Sequence, residues 1–505
     1  MIPKKLQRVT RRRWQRSLSM LCWNSVMSLC LQSQQWLALP AAMTAWGCVE
    51  TTGPVLTDTQ GVPTPEPLAP IPSAEQLTWQ TQELSAFLHF GLNTFSDQEQ
   101  GDGSVSPALF NPTGLDATQW VARLRSAGFR QAMLTAKHHD GFCLWQSQCT
   151  DYSVASSPWL DGKGDVVAEF VTAAHQANIR VGLALSPLDR HEPTYGSAAY
   201  QAVFECQLTE LLSNYGPVDE IWLWDDTAPQ PPFDWNAIRR LVRRLQPQTL
   251  VDVANVNASA GADVRSVGNA SALPVPSPVE QTNVSPNPSD PNRSPVWYPA
   301  EAVYSIRPGW FWHAAEDTKL RTLNQLLDFY YSSVGLNSML RLNVPPDTQG
   351  LIAAPDVALL DAYGSAIRSI YASNFAADQA ASADSVFEDA KERAASMAVD
   401  GKPDTFWAAG QGTTSARLEL KLDAERTFNV VSIQEPIALG ERTTQYHLDA
   451  KSNGVWTTIA HGTAIGERKL HRVGEITASG VALVVTRARG VPAISELGLY
   501  ESPFP

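Results

Sequence analysis

The chain has 505 residues, of which 44% are hydrophobic and 18% charged, so it is long enough for two folded domains with separate cores. Its net charge is −13, and seven positive charges fall within the first sixteen residues, so the remainder is more acidic still. An acidic body argues against nucleic acid as a partner. No uninterrupted apolar run reaches about 18 residues, which argues against a multi-span membrane protein.

The amino-terminal 48 residues have the pattern of an export signal. A basic start is followed by a mixed apolar stretch over residues 17–45. We therefore predict a leader over residues 1–48 and a secreted or periplasmic location, with a disordered basic tail as the alternative. A lipidated Cys48 would add a membrane tether, an option that the poor match around this cysteine leaves open. Residues 49–73 are rich in Pro, Thr and Gly, which is typical of a linker.

The six cysteines are divided equally between the leader and the region from Cys143 to Cys206. This distribution is not that of a small disulfide-stabilised domain. Cys143 and Cys149 are close enough in sequence for a pairing to be considered.

Residues 74–375 alternate short apolar runs with helical patterns. Residues 86–90 have the composition of a buried strand, and Trp120, Leu124 and Ala127 fall on one face of a helix. Repeated strand–helix alternation predicts a parallel sheet covered by helices. The length of about 290 residues favours an α/β fold of the (β/α)8 TIM-like barrel type, with a doubly wound sheet as the rival.

Residues 376–505 have a different pattern. Residues 417–422 alternate apolar and charged side chains, as half-buried antiparallel strands do, which predicts an all-β sandwich. Residues 399–401 and 405–407 resemble the start of discoidin-like modules. Such modules either bind carbohydrate or brace an enzyme, and the fold alone does not distinguish the two.

Polar side chains follow four consecutive strands of the predicted barrel. His89 follows the first strand, His138 and His139 the second, residues 189–191 the third, and the pair Asp225 and Asp226 the fourth. Barrel enzymes place their sites at these carboxyl ends. We therefore predict the functional site there.

The histidines are better suited to sugar hydroxyls than to a metal. Adjacent His138 and His139 on an extended segment point to opposite sides, and no His-x-x-x-His or Cys-x-x-Cys spacing occurs. We predict no metal and no cofactor at this site. Trp145 and Trp310 offer flat apolar faces for a sugar, with core packing as the alternative for each.

Seven motifs carry a family resemblance. They are residues 89–95, 137–145, 186–191, 214–217, 263–269, 305–311 and 342–347. Together they resemble glycoside hydrolase family 29, the α-L-fucosidases, and the later ones resemble its subfamily that acts on α-1,3/4-linked fucose. The resemblance implies a barrel that removes α-linked L-fucose from fucosylated oligosaccharides or glycoconjugates by a retaining two-carboxylate mechanism.

The resemblance also assigns roles to residues of this sequence. The nucleophile maps to Asp225, with Asp226 as the alternative because only one of two neighbouring side chains can face the pocket. Substrate binding is implied for a set of eight residues: His89, Glu99, His138, His139, Trp145, Asp226, Arg265 and Trp310.

The general acid of the family lacks a clear counterpart. Ala270 stands where the subfamily has a glutamate, and losing acid assistance typically costs about 10²–10⁴-fold in rate. Glu301 is a candidate replacement, with a structural or sugar-binding role as the alternative. The sequence thus supports two hypotheses, a slow α-L-fucosidase or a catalytically disabled fucosidase homologue that acts as a fucose- or glycan-binding protein.

Overall fold

The computed structural model describes residues 61–223, 233–253, 262–267, 283–284 and 296–504. Asp225, Asp226 and Ala270 lie outside these residues, as does the leader. The described part contains a parallel eight-stranded sheet with helices around it, followed by a mainly antiparallel domain.

The first ten strands belong to the amino-terminal part of the fold. They are β1 (Leu84–Leu88), β2 (Gln131–Lys137), β3 (Arg180–Leu185), β4 (Glu220–Trp222), β5 (Leu250–Asp252), β6 (Arg265–Ser266), β7 (Asn283–Val284), β8 (Val296–Trp297), β9 (Ala300–Ser305) and β10 (Ser338–Asn343). All except β7 and β8, which pair with each other, form one parallel sheet in the order β5-β4-β3-β2-β1-β10-β9-β6. Asp252 at the end of β5 bridges Val264, directly before β6, so the two edges of the sheet meet. The sheet is therefore a barrel and not the doubly wound alternative.

Within the described residues, eight α-helices connect and cover these strands. They are α1 (Ala74–Gln80), α2 (Leu92–Ser96), α3 (Ala117–Ser126), α4 (Val166–Gln176), α5 (Tyr200–Asn214), α6 (Trp235–Leu245), α7 (Leu323–Ser333) and α8 (Ala354–Ile370). Asp116 and Asp165 begin α3 and α4 as N-caps, because their carboxylates accept from backbone N–H groups of the first turn. None of the described helices combines the length and apolarity that a bilayer crossing requires.

Strand alternation divides the barrel into an outer core and an interior. Along β1, Leu84, Ala86 and Leu88 join the core beneath the helices, whereas Phe87 points inward and contacts Trp222 with ring centroids 4.6 Å apart. A buried group that we call the apolar layer fills the middle of the interior. Its members are Phe87, Met133, Ala184, Trp222 and Val303.

The carboxyl-terminal domain is built on long antiparallel strands. They are β11 (Ala380–Ala383), β12 (Trp407–Ala408), β13 (Ala416–Gln434), β14 (Thr443–Ser452), β15 (Val455–Gly462), β16 (Lys469–Ala488), β17 (Ala493–Ile494) and β18 (Glu496–Tyr500). Six of them form a sheet in the order β11-β13-β16-β14-β15, with β18 also on β13, and β12 pairs with β17. The predicted all-β domain is confirmed, and residues 417–422 alternate in burial as expected.

The barrel and the antiparallel domain share polar contacts. Asn337, between α7 and β10, accepts from the Glu467 N–H at 2.8 Å and donates to the Glu441 carboxylate at 3.4 Å. The Arg468 guanidinium lies 2.6 Å from the Glu83 carboxylate. Part of the predicted linker also lies against this domain, since the Leu68 N–H donates to the Leu439 carbonyl.

Candidate active site

His89 is fixed at the carboxyl end of β1 by Asn343. The His89 Nδ1 lies 2.7 Å from Asn343 Oδ1, and the amide Nδ2 of Asn343 donates to Ser305 Oγ and to the Trp310 carbonyl. Because Oδ1 must then accept, Nδ1 of His89 carries the proton and Nε2 is left as an acceptor. Burial lowers the pKa of His89 to about 3, so the ring is neutral.

His138 and His139 follow β2 with their ring centroids 4.2 Å apart. The Asn93 amide accepts from the Gly101 N–H and directs its Nδ2 at His138 Nδ1, which therefore accepts and places its proton on Nε2. The Ser186 hydroxyl donates to the Leu188 carbonyl, so His139 Nδ1 donates to Ser186 at 2.7 Å.

Both of these rings are also neutral. Burial lowers the pKa of His139 to about 3, and burial together with the neighbouring histidines lowers the pKa of His138 well below its usual value. The three histidines form one cluster, since the His89 and His138 centroids lie 5.8 Å apart. Neutral imidazoles are suited to uncharged hydroxyl groups.

The loop after β9 adds aromatic faces to this cluster. The Trp310 ring is half-buried and lies 5.2 Å from His89 between centroids, and Phe311 meets His138 edge-on at 4.9 Å. The Glu99 carboxylate accepts from the N–H groups of Trp310 at 2.8 Å and Phe311 at 3.1 Å. Glu99 therefore holds the loop in place over the histidines.

His313 is a site residue that sequence reasoning missed. Its Nδ1 lies 2.5 Å from Asp97 Oδ1 and its Nε2 lies 2.8 Å from Glu99 Oε1. Burial alone would lower the pKa of His313, but the hydrogen bonds to Asp97 and Glu99 outweigh it and raise the pKa above its usual value. No sequence signal distinguished this histidine, because its two carboxylate partners lie more than 200 positions away.

Comparisons with known proteins agree with this geometry. Residues 70–369 match the sequence profile of the Alpha-L-fucosidase family, and residues 379–497 match the F5/8 type C domain. Alpha-L-fucosidase 1 of Arabidopsis thaliana is 40% identical over 460 residues, which cover 88% of this chain and 90% of that relative. The chain belongs to the alpha-L-fucosidase family.

Solved structures of fucosidases share the fold over nearly the whole described chain. A GH29 fucosidase of Ruminococcus gnavus in complex with fucose superposes with a TM-score of 0.76 at 30% identity, covering 87% of this chain and 96% of that one. An aspartate-to-alanine variant of the same fucosidase, also in complex with fucose, gives a TM-score of 0.79. The predicted glycoside hydrolase family and the discoidin-like (F5/8 type C) domain are thus confirmed.

The structure does not bring Glu301 to the fucosidase histidines. Glu301 is fully buried on β9, four residues before Ser305, which is about 13 Å along a strand. The apolar layer lies between the two levels, and the Glu301 carboxylate accepts from Arg341 Nε at 2.8 Å. This position is that of a structural residue, so the acid role suggested by the sequence lacks support from the geometry.

Two further assignments differ from the sequence interpretation. Trp145 is fully buried in the outer core and donates from Nε1 to Glu210 at 2.8 Å, so its ring offers no face to a sugar. Arg265 donates from Nε to the Tyr298 carbonyl, and its backbone pairs with Ala300 at the opposite end of β9 from Ser305. His89, Glu99, His138, His139 and Trp310 are brought together as described above.

The lysine of the 137–145 motif is buried next to the site and links the segments that carry its residues. Lys137 is buried, and its Nζ bonds Asp189 Oδ2 at 2.9 Å, Tyr200 OH at 3.0 Å and Gln207 Oε1 at 2.9 Å. These contacts tie the ends of β2 and β3 to α5. The lysine is a positioning residue for the loops that carry the histidines.

One disulfide joins the loop after β2 to α5. It links Cys149 and Cys206, whose Cα atoms lie 6.1 Å apart, while Cys143 is a free and buried cysteine. The pairing of Cys143 with Cys149 that the spacing suggested is therefore wrong. Proximity in sequence is a poor guide here because α5, which carries Cys206, packs beside this loop.

Proposed function

We propose that this chain is an exported alpha-L-fucosidase that removes α-linked L-fucose from glycans by retaining hydrolysis. The observation that carries the proposal is the convergence of three neutral histidines beside the half-buried Trp310 ring at the carboxyl end of the barrel. An uncharged sugar that has both hydroxyl groups and an apolar face matches these surroundings.

The tautomers define what the pocket can recognise. The acceptor nitrogen of His89 and of His139 is Nε2, whereas His138 carries its proton on Nε2. A sugar with neighbouring hydroxyls can donate to the first two and accept from the third. Trp310 would pack against the apolar face of fucose, including its methyl group.

Asp225 is the proposed nucleophile and Asp226 the alternative. β4 ends at Trp222, three residues before Asp225, so the aspartate pair follows a strand that points toward the same end of the barrel as His89. In a retaining glycosidase this carboxylate attacks the anomeric carbon and displaces the leaving-group oxygen, and water then hydrolyses the glycosyl-enzyme ester and releases the sugar.

General-acid protonation of the leaving group is proposed to be inefficient. Ala270 cannot donate a proton, and Glu301 is fully buried against Arg341 beneath the apolar layer. Natural glycosides, whose leaving groups need a proton, should react about 10²–10⁴-fold more slowly than an acid-assisted reaction would. Substrates with good leaving groups should be much less affected.

A fucose-binding protein without turnover is the second candidate. Ala270 is the observation that favours it, because loss of the acid affects turnover and leaves the histidine cluster intact. In this case the histidine cluster and Trp310 would bind fucose, and the antiparallel domain would brace the barrel.

Two substrates distinguish these functions. Hydrolysis of an aryl α-L-fucoside and of a natural fucosylated oligosaccharide should be measured for the wild-type chain and for Asp225→Asn, Asp226→Asn and Glu301→Gln. We expect aryl turnover that Asp225→Asn abolishes and Asp226→Asn largely retains, with slow turnover of the oligosaccharide.

Other outcomes would contradict specific parts of the proposal. Saturable fucose binding by calorimetry without turnover of either substrate would leave only the binding function. Full activity of the Asp225→Asn variant would show that Asp225 is not the nucleophile and would assign that role to Asp226. Selective loss of oligosaccharide hydrolysis in a folded Glu301→Gln variant would restore Glu301 as the acid.

Export to an oxidising compartment is part of the proposal. The Cys149–Cys206 disulfide supports it, because such bonds persist outside the reducing cytosol. Mass analysis of the mature protein would locate its first residue. A lipid-modified Cys48 at the new amino terminus would establish the membrane tether, and an intact residue 1 would refute the cleaved leader.

A further inference from the structure

A cluster of charged side chains fills the barrel interior on the side of the apolar layer that faces away from the histidines. Glu220 on β4, Asp252 on β5, Glu301 on β9 and Arg341 on β10 are all fully buried. The three carboxylates each offer an oxygen atom, and these atoms lie within 4.8 Å of one another. The fucosidase reaction proposed above makes no use of this cluster.

The arginine satisfies only part of the cluster. Arg341 Nη2 donates to both oxygens of Glu220 at 2.9 Å, and its Nε donates to Glu301 Oε2 at 2.8 Å. Glu220 also accepts from Trp79 Nε1 at 3.0 Å and from Gln131 Nε2. Glu220 is thus well supplied with donors.

Several buried oxygen atoms around Arg341 lack a donor when the carboxyl groups are ionised. They are Oδ1 and Oδ2 of Asp252, Oε1 of Glu301 and Oε1 of Gln131. All four are acceptors, and burying an unsatisfied acceptor costs about 1–3 kcal/mol, more for a charged group. The Asp252 and Glu301 carboxyls meet at hydrogen-bond distance, so either a shared proton or a cation must lie between them. The cluster therefore lacks positive charge or donors on the side where Asp252 lies.

The charge count gives the size of the deficit. Three carboxylates face one guanidinium among these buried groups, so two positive charges are missing when all four side chains are ionised. Uncompensated charge in a protein interior is strongly destabilising. One divalent cation would make the cluster neutral.

We propose that Asp252 and Glu301, with Glu220 alongside as the third carboxylate, bind one structural divalent cation of the hard, oxygen-preferring class, Mg²⁺ or Ca²⁺, inside the barrel. Carboxylate and amide oxygens are the ligands that such ions take, and the three acidic residues of the cluster offer oxygen atoms. The ion would join β4, β5 and β9 across the interior. This role goes beyond the proposed hydrolase function and does not depend on it.

Elemental analysis of the intact chain tests the proposal. Protein purified without chelator and dialysed into metal-free buffer should retain about one equivalent of Ca²⁺ or Mg²⁺. Asp252→Asn should lose it, because the amide removes a ligand charge. Glu435→Gln, which alters a buried carboxylate in the antiparallel domain, should retain it.

Thermal unfolding provides a second measurement on the wild-type chain alone. A chelator should lower Tm by at least about 2 °C, and added Ca²⁺ or Mg²⁺ should restore it. A wild-type chain with negligible metal, no chelator effect and no response to either ion would overturn the proposal. Protons would then neutralise the cluster, and Asp252→Asn would be as stable as the wild type.

Discussion

At the scale of single residues, the site depends on amides and hydroxyls that fix histidine tautomers. Asn343 fixes the tautomer of His89 in which Nε2 is an acceptor, and Ser186 fixes the same tautomer in His139. Asn93 fixes the other tautomer in His138, in which Nε2 carries the proton. Each of these partners is itself held by other groups, such as the Trp310 carbonyl for Asn343. The recognition pattern is therefore set by residues that need not touch the sugar.

Asn343→Asp should convert His89 into a pH-dependent group. In the wild type the pKa of His89 is about 3, so the ring stays neutral across ordinary assay conditions. A carboxylate beside Nδ1 raises that pKa, so the imidazolium forms as the pH falls and its Nε2 can no longer accept. We expect kcat/KM for an aryl fucoside to fall about 10–100-fold on the acid side, measured as a pH profile.

The profile separates this effect from simple damage to the pocket. Loss of the Asn343 amide contacts alone would lower activity equally at every pH, which would contradict the tautomer argument. Asn453→Asp, at an exposed turn of the antiparallel domain, is the matched control and should leave the profile unchanged.

At the scale of elements, two connections hold the loops of the site. Glu99 and His313 join the loop after α2 to the loop after β9, and Trp310 is positioned as a result. The disulfide joins the loop after β2 to α5, where Glu210 also accepts from Trp145 and Ser147. The loops that carry the site residues are thus held in position by hydrogen bonds and by the disulfide.

Replacing both disulfide cysteines should destabilise the barrel. Cys149→Ser with Cys206→Ser removes a crosslink between positions separated by 57 residues, and we expect the free energy of unfolding to fall by about 2–4 kcal/mol in urea titrations. A reductant should lower the stability of the wild type and leave the double variant unchanged. Equal stability of the two proteins under oxidising conditions would contradict the prediction.

At the scale of the whole molecule, the antiparallel domain packs on the amino-terminal side of the barrel strands. Asn337 precedes β10 and contacts Glu441 and Glu467, and Arg468 reaches Glu83 just before β1. Val430 and Leu470 join the large barrel core. The histidine cluster lies at the other end of the strands, so these contacts brace the barrel without covering the histidines.

Asn337→Gly should weaken this interface selectively. Asn337 has a φ of 63°, which glycine adopts readily, so the change removes the side-chain contacts and retains the backbone. We expect a loss of about 0.5–1.5 kcal/mol in unfolding free energy, because the partly buried Glu467 N–H loses its acceptor. Asn453→Gly, at a φ of 50° in an exposed turn, is the control. Equal effects of the two changes would show that the interface contacts contribute nothing.

Periodicity and strand-end chemistry predicted much of the fold and half of the site. The strand–helix alternation gave parallel strands, and His89, His138 and His139 do meet at their carboxyl ends. Glu301 was misplaced, because strand alternation determines only whether a side chain points inward and not which layer of the interior it occupies. Trp145 was misplaced because it packs in the outer core, which the sequence does not distinguish from a sugar-facing position. His313 was missed, since its carboxylate partners are remote in sequence.

The amino-acid sequence by itself determined the family, the domain order and the residue types at the strand ends, because these are local patterns that hold wherever the chain folds. The tertiary structure alone decided three matters, namely the tautomers of the histidines, the Cys149–Cys206 pairing and the burial of Glu301 beside Arg341. Each of these depends on groups from distant segments meeting within hydrogen-bond or bonding distance. Pairing of neighbouring strands and packing of α5 beside the loop after β2 bring them together.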